Sequence, residues 1–240
     1  QKDDGFAALM VNDRAQDAIR QNLLFASLPD GRVLCHESLF ALKDCAVEKV
    51  EQGFLRIINE NFPRVPGNCN GQRTLYFPGG QRTFRGFPSL NPEDDIRLEL
   101  DHPGWLNIDD RIGVIFRGTG RTLYLNRHYF PPFSFRAVAD DLFLSLQEGQ
   151  RDYRRGDRVG DLTLLICPEQ PAPETPGQQL IQVESAGDAV CLIAAGYLCA
   201  GNFGQRRRAC SFRVQAGETI PLFEGTACIR GGEVEYTLLM

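Results

Sequence analysis

The sequence predicts an all-β protein: a large, supersandwich-like antiparallel β-sandwich over residues 1–170, then a smaller β-sandwich domain over residues 178–240. Three observations predict it. Short runs of β-branched, aromatic and aliphatic residues recur along the 240-residue chain, bounded by turn-forming residues. Gly and Pro are plentiful, at 24 and 14, which favours many short strands. No segment carries a sustained, capped helical period, so helix content should be low.

The bulk composition narrows the partners. Apolar residues at 42% and charged residues at 24% fit a chain with a real core and exclude general disorder. A net charge of −5 argues against a nucleic-acid partner, which needs a basic face. No apolar run approaches the length of a membrane span. The chain opens at Gln1 rather than Met, so its start carries no information about a leader. The eight Cys are dispersed, and six of them (Cys35, Cys45, Cys191, Cys199, Cys210 and Cys228) sit in or beside apolar runs, where a thiol acts as a small hydrophobe. No C-x-x-C pair occurs, so a structural zinc site is not expected, and no cofactor is expected either. Free buried thiols are the leading reading, with one or two disulfides left open.

The elements follow in order. An apolar run, Phe6 to Val11, leads into a polar link. Ala18–Leu28 and Arg32–Leu42 are β-like runs around Pro29-Asp30-Gly31, a strong turn signal. The second run places Leu34, His36, Ser38, Phe40 and Leu42 on one face and Val33, Cys35, Glu37, Leu39 and Ala41 on the other. Both faces are largely apolar, as in a strand covered on both sides. Val47–Ile58 is helical or β by pattern and is read as β because its neighbours are. Residues 59–93 are rich in Asn, Gly, Pro and Arg, with strands expected at Arg73–Phe77 and Gln81–Gly86 around Pro78-Gly79-Gly80. There Arg73, Arg82 and Arg85, with Tyr76, Phe77, Phe84 and Phe87, line either a groove or a surface flap.

Asp101 to Leu125 is the central stretch and holds the only Trp. Arg111–Phe116 reads as a buried strand, Gly118-Thr119-Gly120 as a tight turn, and Thr122–Leu125 as the returning strand of a hairpin. Trp105, Asp109, Asp110 and Arg111 crowd its start. A ring beside carboxylates suits a sugar, whose face stacks on the ring and whose hydroxyls bond the carboxylates. These four residues, with His128 beyond the hairpin, are the candidate ligand-binding set. A packing reading stands ahead of it, with Trp105 in the core and the Asp doublet shaping a turn.

Beyond the hairpin, Pro131-Pro132 excludes helix and central strand. Ala137–Leu146 is a strand, Tyr153–Asp161 a charged loop, and Leu162–Cys167 a buried strand. Pro168–Gly177 carries four Pro in ten residues and is the best linker. The remaining runs, Gln179–Glu184, Ala189–Ala195, Arg208–Val214, Thr219–Phe223, Thr226–Arg230 and Glu233–Leu239, have the regular spacing of a sandwich. Arg206-Arg207-Arg208 reads as a solvated turn.

Chemical motifs are sparse. The sequence contains no P-loop, G-x-G-x-x-G, G-x-S-x-G or H-E-x-x-H. Of the three His, His36 lies in a strand pattern, and His102 and His128 flank the central hairpin. Carboxylate doublets are present, but no pair is singled out for glycoside hydrolysis.

The order D-x-P-G-W-L-N-I-D-D-R-I-G-V-I from Asp101, then Tyr153-x-x-Gly156-Asp157 and a strand ending at Pro168, resembles the C-terminal β-sandwich domains of bacterial polysaccharide lyases and glycoside hydrolases. The resemblance spans roughly residues 20–170, and the last residues resemble the small sandwich that often follows. It implies an accessory portion of a carbohydrate-active enzyme, binding or supporting a polysaccharide or oligosaccharide. It further implies an extracytoplasmic location and a catalytic domain elsewhere in the same enzyme. No catalytic residue carries over. The alternatives are a self-sufficient hydrolase or lyase with acid/base residues near His102 and His128, and a purely structural packing domain.

Overall fold

The computed structural model describes residues 7–15, 18–59, 73–84, 96–99, 104–118, 122–129, 138–172, 182–186, 189–194, 197–204, 206, 209–214, 219–222, 225–228 and 234–239. The described chain is all-β, and every strand pairing in it is antiparallel. No helix among these residues is long and apolar enough to cross a membrane.

The strands are β1 (Ala7–Ala15), β2 (Ile19–Ser27), β3 (Val33–Ala41), β4 (Cys45–Asn59), β5 (Arg73–Phe77), β6 (Gly80–Phe84) and β7 (Ile96–Glu99). They continue with β8 (Gly104–Ile108), β9 (Ile112–Gly118), β10 (Thr122–Tyr129), β11 (Val138–Tyr153) and β12 (Arg158–Pro168). The C-terminal strands are β13 (Gln182–Ala186), β14 (Ala189–Ala194), β15 (Tyr197–Asn202), β16 (Ala209–Val214), β17 (Thr219–Leu222), β18 (Gly225–Cys228) and β19 (Val234–Leu239). An eight-stranded sheet runs β1-β2-β3-β12-β9-β8-β5-β6, and a four-stranded sheet runs β4-β11-β10-β7. The C-terminal strands form β13-β14-β15, β16-β19 and β17-β18.

Local chemistry accounts for the turns. In the β2–β3 hairpin, Gly31 adopts φ 85°, which costs a Gly little. Asp30 accepts from the Arg32 amide at 3.0 Å and from its Nε at 2.8 Å. Gly79, at φ 89°, does the same for β5–β6. β3 pairs with β12 in the large sheet, and β4, the strand after β3, pairs with β11, the strand before β12. The two long segments thus pass between sheets side by side. Their corners are stitched: Ala41 N donates to Asp157 O at 2.9 Å, Gly156 N to Ala41 O at 2.8 Å, and Arg155 N to Asp44 Oδ1 at 2.8 Å. The charged loop expected over Tyr153–Asp161 is therefore a four-residue turn, Arg154–Asp157, between strands that run up to it from both sides.

The central hairpin expected over residues 111–125 does not form. β9 pairs with β8 and β12 in the large sheet, whereas β10 pairs with β7 and β11 in the small one. Gly118 is no turn residue: its φ is not positive, and a Cβ there would lie 2.3 Å from the Asp161 carbonyl oxygen. It is glycine because the β12 backbone comes close. The tight hairpin lies one strand earlier, at Asp109-Asp110 between β8 and β9.

Period-2 alternation gives the large sheet two buried faces. On the first face, Leu75, Leu106, Ile108, Val114, Phe116, Leu162 and Leu164 join Val50, Leu123, Leu142, Leu144 and Leu146 of the four-stranded sheet in one cluster. On the second face, Leu24, Ala26, Leu34, Ile115, Leu165 and Cys167 join Val190, Leu192 and Cys199 of β14 and β15. Strands from either side of the 170–178 boundary thus share a core. Among the residues whose side chains are described, Cys35, Cys45, Cys167, Cys191 and Cys199 form no disulfide.

Candidate functional site

Four of the five candidate ligand residues share the β8–β9 hairpin. Asp109 and Asp110 occupy its central positions at φ 56° and 58°, and Arg111 N donates to Ile108 O at 3.1 Å. This is the φ pattern of a type I′ turn, where Asp is among the tolerated residues. Both carboxylates accept backbone donors. Asp109 Oδ1 takes the Thr74 amide at 2.7 Å, and Thr74 O takes the Asp109 amide at 2.8 Å. Asp110 Oδ1 takes the Ala172 amide at 2.7 Å. Arg111 pairs with Glu169 at 2.8 Å and accepts the Gln170 amide at its carbonyl, while Asn107 Nδ2 donates to Gln170 O. The doublet fastens the hairpin to β5 on one side and to residues 169–172 on the other. Trp105, half-buried, packs against the second-face core. His128 stands on β10 opposite Ala139, in the other sheet. His102, Arg85 and Phe87 lie outside the described residues. Phe77, from the Arg/aromatic stretch, packs on the first core.

A second concentration of polar side chains lies where the sequence reading placed only strand residues. Residues facing one another across an antiparallel ladder share a sheet face. On the second face, Arg20 of β2, Phe40 of β3 and Arg158 of β12 form one cross-strand row. The Arg20 guanidinium carbon lies 5.2 Å from the Phe40 ring centroid and that of Arg158 lies 5.6 Å from it, so a cation from each flanking strand packs on the ring. The next row holds Asn22, Ser38 and Asp161, and the one after it Leu24, His36, Thr163 and Arg117. Asn22, Ser38, His36 and Thr163 are buried, Arg20 and Phe40 are half-buried, and Arg158 and Arg117 are exposed. The face grades from apolar at Leu34, Leu165 and Ile115 to basic and aromatic at Arg20, Phe40 and Arg158.

The buried row has defined electrostatics. His36 Nδ1 and Thr163 Oγ1 are 2.8 Å apart. Burial, with the Arg158 charge adding to it, pushes the His36 pKa down to about 4, so the imidazole is neutral near pH 7. Asn22 is 1% exposed, and its Oδ1 has no hydrogen-bond donor. An unsatisfied buried carbonyl is uncommon, and a single ordered water suffices to supply its donor.

Glu37 occupies the opposite face. It is 2% exposed, Oε1 accepts from Gln21 Nε2 at 2.5 Å, and Oε2 has no partner. Burial pushes its pKa up to about 7 against the opposing Gln21 hydrogen bond. Burial, with Glu37 adding to it, pushes the Cys35 thiol up to about 12, so Cys35 is no thiolate nucleophile. Among the described residues, no three His, Cys, Asp or Glu side chains group so as to hold a metal ion.

The sequence reading missed this row as a site because its members lie on three separate strands. One signal was present: the alternation of residues 33–42 already set His36, Ser38 and Phe40 on one face. No protein-family model matches the chain, and no curated protein matches it.

Proposed function

We propose that this chain is the accessory β portion of a carbohydrate-active enzyme and binds glycan on the second face of its large sheet. The observation that carries the reading is the partly exposed Arg20–Phe40–Arg158 row. Guanidinium groups packed on a ring are held in place and still offer donors to sugar oxygens. This moves the proposed contact away from Trp105, Asp109, Asp110 and Arg111, whose groups are engaged within the fold.

Affinity electrophoresis in gels containing soluble polysaccharides tests it. Wild type is retarded by at least one glycan. Phe40→Ala, which removes the ring both guanidiniums pack on, loses the retardation. Trp105→Ala, if it remains folded, keeps it. Unretarded migration of the wild type in a broad set of glycan gels removes the reading.

The hairpin staple supports a second reading, a packing module that supports a catalytic domain. It predicts no glycan retention by the chain alone and a rise in melting temperature when that domain is added.

A further inference from the structure

We propose that the first face of the large sheet, where β2 runs out from under the four-stranded sheet, is a docking surface for an extended strand of a partner polypeptide, laid along the outer edge of β4. The inference is independent of the glycan reading, which concerns the other face. Residues opposite one another in an antiparallel ladder share a face. Leu162, Glu37 and Leu23 form one such row across β12, β3 and β2, and Leu164, Cys35 and Phe25 form the next. Burial falls away along both rows. Leu162 and Leu164 are 1% and 3% exposed, Leu23 is half-buried, and Phe25 is 39% exposed, the exposed large hydrophobic among the described residues. Leu23 and Phe25 join neither core cluster. Glu37 is buried and held by Gln21, so what these rows leave open is an apolar shelf.

Strand order explains the shelf. Residues 42–44 join β3 to β4, and the Arg154–Asp157 turn joins β11 to β12, so the paired strands β4 and β11 fold back over the pair β3 and β12. β10 and β7 continue the small sheet on the β11 side, and the first-face core joins the two layers. β2 and β1 lie on the other side, beyond β4. The large sheet therefore overhangs by two strands, roughly 9.5 Å. Among the described strands β4 pairs with β11 alone, so its outer edge stands over the shelf. A strand added at that edge lengthens the small sheet and turns alternate side chains onto Leu23 and Phe25. It continues the interface that already joins the two sheets.

The edge and the overhang define the occupant. A strand edge presents amide donors and carbonyl acceptors at the repeat of another strand, which an extended polypeptide matches. A second copy joined through its own β4 edge would bring its own β1–β2 overhang into the layer these strands fill, and the two bodies would collide. Room is left for a strand or a hairpin. Such a segment carries apolar residues at every second position, towards the shelf, and polar residues between them, towards solvent.

The test uses the full chain and two displayed libraries of peptides of about nine residues, within ordinary strand length. One alternates aliphatic or aromatic residues with Ser, Thr or Lys. The other holds the same residues in pairs. Binders are expected from the alternating library alone. A synthetic binder should slow hydrogen exchange in β4, and Phe25→Ser should weaken it about tenfold or more at unchanged melting temperature, as the loss of a buried ring predicts. No binder from the alternating library, or equal yields from both, overturns the inference. Undiminished binding by Phe25→Ser removes the shelf from it, and protection of β1 or β6 in place of β4 removes the edge. Dimerisation of the chain alone, lost in Phe25→Ser, overturns the partner and assigns the shelf to a second copy.

Discussion

His36 and Glu37 are consecutive in β3 yet stand on opposite faces of the eight-stranded sheet, each 2% exposed. His36 meets Thr163 on the second face, and Glu37 meets Gln21 on the first. One peptide step thus buries a base and an acid in two separate cores.

Their protons act on stability in opposite directions. Burial lowers His36 from 6.5 to about 4, so the unfolded chain takes up this proton first. Its contribution is complete above pH 6.5 and is lost as pH falls towards 4. Burial raises Glu37 from 4.5 to about 7, so the folded chain keeps that proton longer. Its contribution is complete below pH 4.5 and is lost as pH rises through 7. Between 4.5 and 6.5 the two slopes oppose each other. Glu37→Gln should therefore expose the histidine slope, with melting temperature falling as pH drops from 6.5 to 4. His36→Gln should expose the glutamate slope, losing up to about 3 kcal/mol between pH 4.5 and 8. Parallel pH profiles for wild type and both variants would contradict this account.

Gly118 should tolerate no side chain. A Cβ would sit 2.3 Å from the Asp161 oxygen and 2.9 Å from the Leu162 Cα, both backbone atoms that cannot turn aside. Gly118→Ala should push β9 from β12 and cost about 2–4 kcal/mol, in the range of severe overpacking. Gly149→Ala separates crowding from strain, because it has open space but φ 83°. It should cost about 1 kcal/mol. Chemical denaturation of both variants gives the comparison, and a mild Gly118→Ala refutes the close approach.

The Asp doublet should behave as a staple. Asp109→Ala loses the acceptor for the Thr74 amide and puts Ala at φ 56°. A cost of about 2–3 kcal/mol is expected. Asp109→Gly relieves the backbone strain and keeps only the hydrogen-bond loss, so it should unfold later than Asp109→Ala. A change in glycan retention by Asp109→Gly at unchanged melting temperature would restore the doublet as a ligand contact.

The shared core on the second face predicts joint unfolding. Leu192 of β14 packs there with Leu24, Leu34 and Leu165. Leu192→Ala should cost about 2–5 kcal/mol and shift the whole transition. Trp105 is the only Trp and packs on the same cluster, so its fluorescence should move with far-UV circular dichroism. Two separated transitions, with only the C-terminal one displaced, would mark residues 178–240 as an independent unit.

Several features were legible in the residues alone. Alternation over 33–42 divided β3 between two apolar environments, and each side chain named there that enters a core does so on the expected face. Pro29-Asp30-Gly31 and Pro78-Gly79-Gly80 marked the hairpins that form, because a Gly at positive φ is a local requirement. Gly118 was read the same way and belongs to a different cause, the approach of a strand distant in sequence.

Side-chain period and turn chemistry act over a few residues, so the chain itself dictated strands, hairpin corners and the two-sided burial of β3. Which strands became neighbours depended on ladders closing across long stretches of chain, such as β3 with β12, and on the bent pair that carries both into the second sheet. The Arg20–Phe40–Arg158 row exists only after those ladders close, since its members come from three strands and meet through register alone.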